Sequence, residues 1–283
     1  MSIEALLDNV MKERHGGLVI KPMLRTFLFN ADYPDNFSIH FKKGDQNREP
    51  DGWFWPSTHP QWPLRALWLY LNDPQSLPHE DRQLPNTLAL TFGTAIHGFL
   101  EMCMEQMGLR PKALNYCRSC PPEKKCKEPG FADRKAGSRG HLDGLLDLTS
   151  LKPLPPGVPD DPAWELKTAS DRVISSLTDL DVEDYRRRHP VYYSQNQEYM
   201  ELSGTLMMIV NFVQLGWPWD MKEIHVPYDE AWSETTRGKY SEVRQTDEMP
   251  ECCNRKSCMM ADWCSMQDKS QRAFLMPRPT RRD

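Results

Sequence analysis

The chain is 283 residues long, 39% hydrophobic and 27% charged, with a formal net charge of −5. That length suits one large domain, or a domain with an extension, and the composition is that of a globular chain rather than a disordered or fibrous one. With no apolar run of about eighteen residues, no signal pattern at the start and no overall cationic coat, a cytoplasmic location without membrane contact is expected, and any nucleic-acid contact falls to local basic patches.

The opening residues, MSIEALLDNVMKERH, read as a short amphipathic helix, and residues 1–52 as an N-terminal extension in which FSIHFKK (37–43) suits an edge strand. The domain proper is expected over 53–283. It begins with the aromatic stretch WFWPSTHPQWPLRALWLY (53–70), which turns helical from Leu64, and continues through a proline- and acid-bearing loop at 72–87. A helix is predicted over 88–107: Ile96, Leu100 and Met104 recur at helical spacing, and His97 and Glu101 share the neighbouring face. Residues 111–137 are polar, basic and cysteine-bearing, without periodicity. GHLDGLLDL (140–148) and AWELKT (163–168) read as strands joined by a proline-rich connection. VYYSQNQEYMEL (191–202) reads as a helix with Tyr192, Gln195 and Tyr199 on one side. TLMMIVNFV (205–213) is an apolar strand suited to the middle of a covered sheet. MKEIHVPY and a helix over 229–245 follow, then a cysteine-bearing tail. This order predicts an α/β fold with a mixed central β-sheet flanked by helices. Three basic groups stand out: Lys124, Lys125 and Lys127; Arg134, Lys135 and Arg139; and Arg186, Arg187 and Arg188. Each fits a DNA contact or a solvated face.

In AWELKT the side chains alternate, so Glu165 and Lys167 point the same way, while Trp164 and Leu166 point to an apolar side. An E-x-K pair alone arises by chance. Asp disfavours β structure, however, so Asp143 in the preceding strand adds specificity: if the two strands pair, two carboxylates and a lysine converge. Hard cations such as Mg²⁺ and Mn²⁺ take oxygen ligands from one or two carboxylates and keep several waters, one of which can attack a phosphodiester, and a neighbouring lysine stabilises developing charge.

The series His97, Gly140-x-x-Asp143, Glu165-x-Lys167 and Gln195-x-x-x-Tyr199, in this order and on helix, strand, strand and helix, resembles the RecB-like branch of the PD-(D/E)XK nucleases. The subgroup it is most similar to is the CRISPR-associated and phage-encoded RecB-type exonucleases, over about residues 53–264. The resemblance implies a restriction-endonuclease-like core in which His97, Asp143, Glu165 and the Leu166 carbonyl bind Mg²⁺ or Mn²⁺. It also implies that Lys167 is catalytic alongside Asp143 and Glu165, and that Gln195 and Tyr199 support the site or touch DNA.

Of the eight cysteines, Cys103 stands alone in a helical stretch as a small core residue. The others form two tight groups, at 117–126 (Cys117, Cys120, Cys126) and 252–264 (Cys252, Cys253, Cys258, Cys264), which argues for metal in a reducing compartment. The resemblance implies a [4Fe–4S] cluster with one early cysteine and a C-terminal trio, and Cys253, Cys258 and Cys264 match that trio. At the early position, however, this chain has Trp62 and Pro63. The fourth ligand is then left to the 117–126 group or Cys252, and zinc, which thiolates also suit, is the alternative to the cluster. The resulting expectation is a metal-dependent DNA exonuclease of phage or bacterial DNA recombination and processing. It would act on strand ends and single-stranded tails and work with a recombination or helicase partner. The alternatives are a structure-specific endonuclease, or a cysteine-metal DNA-binding or adaptor protein with a vestigial nuclease site.

Overall fold

The computed structural model describes residues 17–30, 51–77, 84–109, 131–216 and 220–251. The opening helix, the strand expected at 37–43, the basic group at 124–127 and both cysteine groups lie outside the described residues. In chain order the elements are α1 (Ile20–Asn30), α2 (Leu64–Asn72), α3 (Leu84–Gln106), β1 (Phe131–Asp133), β2 (Ser138–Gly140), β3 (Gly144–Leu145), β4 (Ala163–Ala169), α4 (Asp171–Ser175), α5 (Val182–Arg188), α6 (Pro190–Ser203), β5 (Met207–Gln214), β6 (Met221–Pro227) and α7 (Glu230–Gln245).

The central sheet has the order β3-β4-β5-β6, with β4 and β5 parallel and both outer pairs antiparallel. It is therefore mixed, and the crossover from β4 to β5 carries α4, α5 and α6, as a parallel connection requires. Two apolar layers cover it. Trp164, Leu166, Ile209 and Val213 pack with α1 and α3 through Ile20, Leu24, Leu100 and Met104. On the other face Ala163, Met208, Val210, Phe212 and Ile224 pack with Tyr185, Tyr193 and Met200 of α5 and α6. The period-2 alternation of β4 thus divides its side chains between two different helical layers. β5, between β4 and β6, is buried along nearly its whole length, which is why it reads as one apolar run.

α1 lies within the 1–52 segment, and its Val19, Ile20, Met23, Leu24 and Phe27 belong to the first layer. Its start is closed by a carboxylate from the sheet: Glu223 of β6, fully buried, accepts from Val19 N at 2.7 Å and Lys21 N at 2.5 Å. Acceptors at a helix start satisfy amides that have no partner within the helix.

The stretch expected as one strand over 140–148 is broken. β2 ends at Gly140, the chain bends through 141–143, and only Gly144 and Leu145 pair with β4. The cause is Asp143, whose carboxylate Oδ2 accepts from Leu166 N at 2.8 Å, so a side chain takes a ladder bond. Beyond it, the Leu146 and Leu148 amides donate to the Pro162 and Asp160 carbonyls and keep the chain alongside.

A smaller core of Phe54, Leu67, Tyr240 and Val243 joins α2 and α7 to residues 53–55, which pair beside β2: Phe54 N donates to Gly137 O and Arg139 N to Phe54 O. No helix among the described residues is long and apolar enough to cross a membrane.

Candidate metal centre

Asp143 lies at the bend just before the Gly144↔Trp164 pair and reaches β4 through its bond from Leu166 N, which brings its charge beside Glu165. Alternation then puts Lys167 on Glu165's side of β4, the side covered by α6. The Lys167 Nζ lies 2.6 Å from Glu165 Oε1. Gln195 of α6 donates to the same oxygen at 3.2 Å, and its amide is 3.3 Å from the Tyr199 hydroxyl. Tyr192, one turn earlier, holds its ring 5.8 Å from the Lys167 ammonium. One face of α6 therefore presents Tyr192, Gln195 and Tyr199 to the Glu165–Lys167 pair.

From the other layer α3 brings His97, whose Nδ1 is 3.8 Å from Asp143 Oδ2. Glu101, one helical turn on, completes a group: His97, Glu101 and Asp143 each offer a ligand atom within 4.8 Å of the others. Asp143 thus stands between two half-sites, bound to β4 through the Leu166 amide and facing α3 through His97. Leu166 itself is buried in the first apolar layer.

Two glycines set these approaches. A Cβ on Gly93 would meet Thr168 Oγ1 at 2.7 Å, so the bare Cα one turn before His97 lets α3 lie this close to β4 with neither Thr168 nor the helix displaced. A Cβ on Gly140 would meet Tyr199 Cε1 at 2.6 Å and the Pro56 ring at 3.0 Å. The spacing Gly140-x-x-Asp143 therefore has a packing reason as well.

Burial decides the electrostatics. Glu165 is 3% exposed, and burial, with the Asp143 charge beside it, pushes its pKa up to about 8 despite Lys167. Burial acts to lower the Lys167 pKa, but the Glu165 and Asp143 carboxylates outweigh it and keep the ammonium protonated. Glu165 Oε2 is buried without a hydrogen-bond partner among the described residues. An orphaned carboxylate oxygen of this kind is costly unless a cation or donor meets it. The His97, Glu101 and Asp143 group, which does not include Glu165, fits a divalent cation: carboxylate oxygens suit Mg²⁺ or Mn²⁺, and the imidazole tilts it toward a transition ion such as Mn²⁺. His97 and Asp143 keep 28% and 22% of their side-chain surface, so this side of the site is open to solvent.

Sequence spacing alone left Glu101 as a neighbour of His97 on the helix. The signal for more was its i+4 position, which puts both side chains on one stripe. Cys117, Cys120, Cys126, Cys253, Cys258 and Cys264 lie outside the described residues, while Cys103 is buried and free, as a core residue should be.

No protein-family model matches the chain, and no curated protein does. Among solved structures it is similar to an alkaline exonuclease, LHK-Exo, from Laribacter hongkongensis, with a TM-score of 0.41 and 12% identity over 80% of this chain and 95% of that one. LHK-Exo in complex with dAMP scores 0.38 at 13% identity, covering 80% and 96%. SSO0001 scores 0.36 at 14%, covering 93% and 96%. Superpositions this loose, at such identities, say nothing about what this chain does.

Proposed function

We propose that this chain is a divalent-metal-dependent deoxyribonuclease of the PD-(D/E)XK type that degrades DNA from strand ends. The observation that carries the reading is the buried Glu165 carboxylate, one oxygen of it unpartnered among the described residues, beside the Asp143 charge and Lys167. A salt bridge on an exposed strand would leave neither the burial nor the orphaned oxygen.

His97, Asp143, Glu165 and the Leu166 carbonyl are the proposed ligands, with Glu101 as an added carboxylate on the α3 side. A cation there supplies a water of lowered pKa and neutralises charge on the phosphodiester under attack. Lys167, kept protonated by Glu165, offers its N–H donors to the attacking water or to a non-bridging phosphate oxygen. Gln195 fixes the orientation of Glu165, and Tyr199 fixes Gln195. The open His97–Asp143 side admits the strand. Cys117, Cys120, Cys126, Cys253, Cys258 and Cys264 are proposed to supply the thiolates of an iron–sulfur or zinc centre, and phage or bacterial DNA recombination is the proposed setting.

The test is incubation with 5′- or 3′-end-labelled single- and double-stranded DNA in Mn²⁺, Mg²⁺ or EDTA. The expected result is mononucleotide or short-oligonucleotide release in Mn²⁺, less in Mg²⁺, and none in EDTA. Internal cuts in a covalently closed circle would move the reading to an endonuclease. Intact DNA in every metal would overturn it.

A further inference from the structure

Strand β2 leads into the bend that carries Asp143, and beside it stands a group of rings and cations that the proposed chemistry does not use. Residues 53–55 pair alongside β2, and the alternation buries Phe54 in the small core while Trp53 and Trp55 turn the other way, half-buried. The Arg139 guanidinium lies 5.4 Å from the Trp53 ring centre and 4.7 Å from that of Trp55. The Trp55 ring in turn lies nearly parallel to His141, 6.3 Å between centres and 23° between planes. Together Trp53, Arg139, Trp55 and His141 form a ladder of flat groups. His141, the exposed end of it, is two residues before Asp143.

The ladder is held from behind. Arg244 of α7 donates to the carbonyls of Gly52, Ala136 and Gly137, and its guanidinium lies 5.1 Å from the Phe54 ring. Phe54 stacks on Tyr240 at 4.2 Å. At the near end Gly140 abuts Tyr199, which reaches Glu165 through Gln195. At the far end the turn between β1 and β2 presents Arg134 and Lys135, both exposed and without an ion pair among the described residues. Asp51 pairs with Arg139, and Asp133 is occupied by the turn amides of Lys135 and Ala136. On a chain of net charge −5, this edge is locally cationic.

We propose that this ladder is a base-stacking track that receives unpaired DNA and delivers its end to the Asp143–Glu165 site. The inference rests on the nuclease reading. Flat rings and guanidinium planes accept any base on its π face, and the cations at the turn meet the phosphates, so recognition is of single-stranded character rather than of sequence. Trp53, Arg139 and Trp55, already packed on one another, lose less entropy on binding than isolated side chains would. A paired duplex hides its base faces in its own stack and gains only the phosphate contacts. The ladder therefore selects single-stranded tails over blunt duplex ends.

Binding is measured in EDTA, which separates it from cleavage, by fluorescence anisotropy of a labelled oligothymidylate, an abasic strand of the same length and a blunt duplex. Wild-type protein is expected to hold the oligothymidylate more tightly than either of the others. Trp55→Ala and His141→Ala should each weaken oligothymidylate binding by about tenfold, the loss of one stacked base, and leave abasic-strand binding unchanged. Trp55→Phe should recover most of it, and melting temperatures measured alongside separate loss of stacking from loss of fold. His141 is exposed, so its variant keeps the test decisive if Trp55→Ala unfolds. Equal binding of the thymidylate and abasic strands, or folded Trp55→Ala and His141→Ala proteins that bind as wild type does, would overturn the track. Base-dependent binding without cleavage in any metal would instead overturn the nuclease reading alone.

Discussion

Glu165 and Glu198 are both buried carboxyls, and each keeps one oxygen without a donor among the described residues, but they differ in what surrounds them. Glu165 faces Asp143, Lys167 and Gln195, the surroundings of a ligand. Glu198, on α6, receives the Tyr240 hydroxyl at 2.9 Å and a hydrogen bond from Ser138, with Lys239 and Asp133 as the nearby charges. Burial raises its pKa from 4.5 to about 7. A carboxyl whose folded pKa lies above its unfolded value adds stability at low pH and loses it as pH rises between the two values. Stability should therefore fall by up to roughly 3 kcal/mol between about pH 4.5 and 7 through this group, at about 1.4 kcal/mol per unit. Glu198→Gln should remove that slope and gain stability at pH 8. Urea denaturation of both proteins across the range measures it, and parallel stability curves would show that Glu198 is not the source. Lys167→Ala should lower kcat for DNA cleavage by about two orders of magnitude or more and change Mn²⁺ affinity less, because an ammonium helps the transition state rather than the cation. A Mn²⁺ titration showing the larger loss would make Lys167 structural. The convergence of Glu165 and Lys167 was legible in AWELKT because strand alternation is a local rule.

At the scale of elements, the long or strongly patterned segments were legible. α3, α6, β4, β5, β6 and α7 follow from helical spacing, alternation or a continuous apolar run. The bend at Asp143 was not, because it depends on a hydrogen bond to Leu166, 23 residues away. The run Arg186, Arg187 and Arg188 also misleads when read as a charge patch. Arg187 and Arg188 reach back three and four residues to Asp184, and Arg186 pairs with Asp229. Arg134 and Lys135 at the β1–β2 turn, by contrast, have no ion pair among the described residues. Two element contacts are open to test. Gly93→Ala is expected to push α3 from β4 at Thr168, carrying His97 and Glu101 away from Asp143. Cleavage should drop about tenfold or more while α3 stays helical, since Ala favours helix over Gly by about 1 kcal/mol. Undiminished cleavage by Gly93→Ala would mean that the Thr168 side chain rotates away at no cost to the site. Glu223→Ala strips the acceptor from two amides at the start of α1 and leaves His225 without its partner at 2.7 Å. A loss of about 2 kcal/mol or more is expected in chemical denaturation. Proteolysis should then cut first near residue 19, and uniform protection there would contradict the clamp.

Across the whole molecule, a mixed sheet carries two helical layers, and the candidate site lies where they meet at Asp143. α3 supplies the imidazole and Glu101, β4 the buried carboxylate and lysine, and α6 the groups that orient them. No single segment holds the set, which is why the four spaced motifs were informative together when each alone was not. The central claim is that Asp143 and Glu165 hold the cation used for cleavage. The most direct test compares wild type, Asp143→Ala and Glu165→Ala in Mn²⁺-dependent digestion of end-labelled single-stranded DNA, with melting temperature and oligonucleotide binding in EDTA measured on the same preparations. Both variants should remain folded, bind the strand as well as wild type or better because negative charge is removed, and lose cleavage by about three orders of magnitude or more. Cleavage near the wild-type rate by either folded variant would contradict the account.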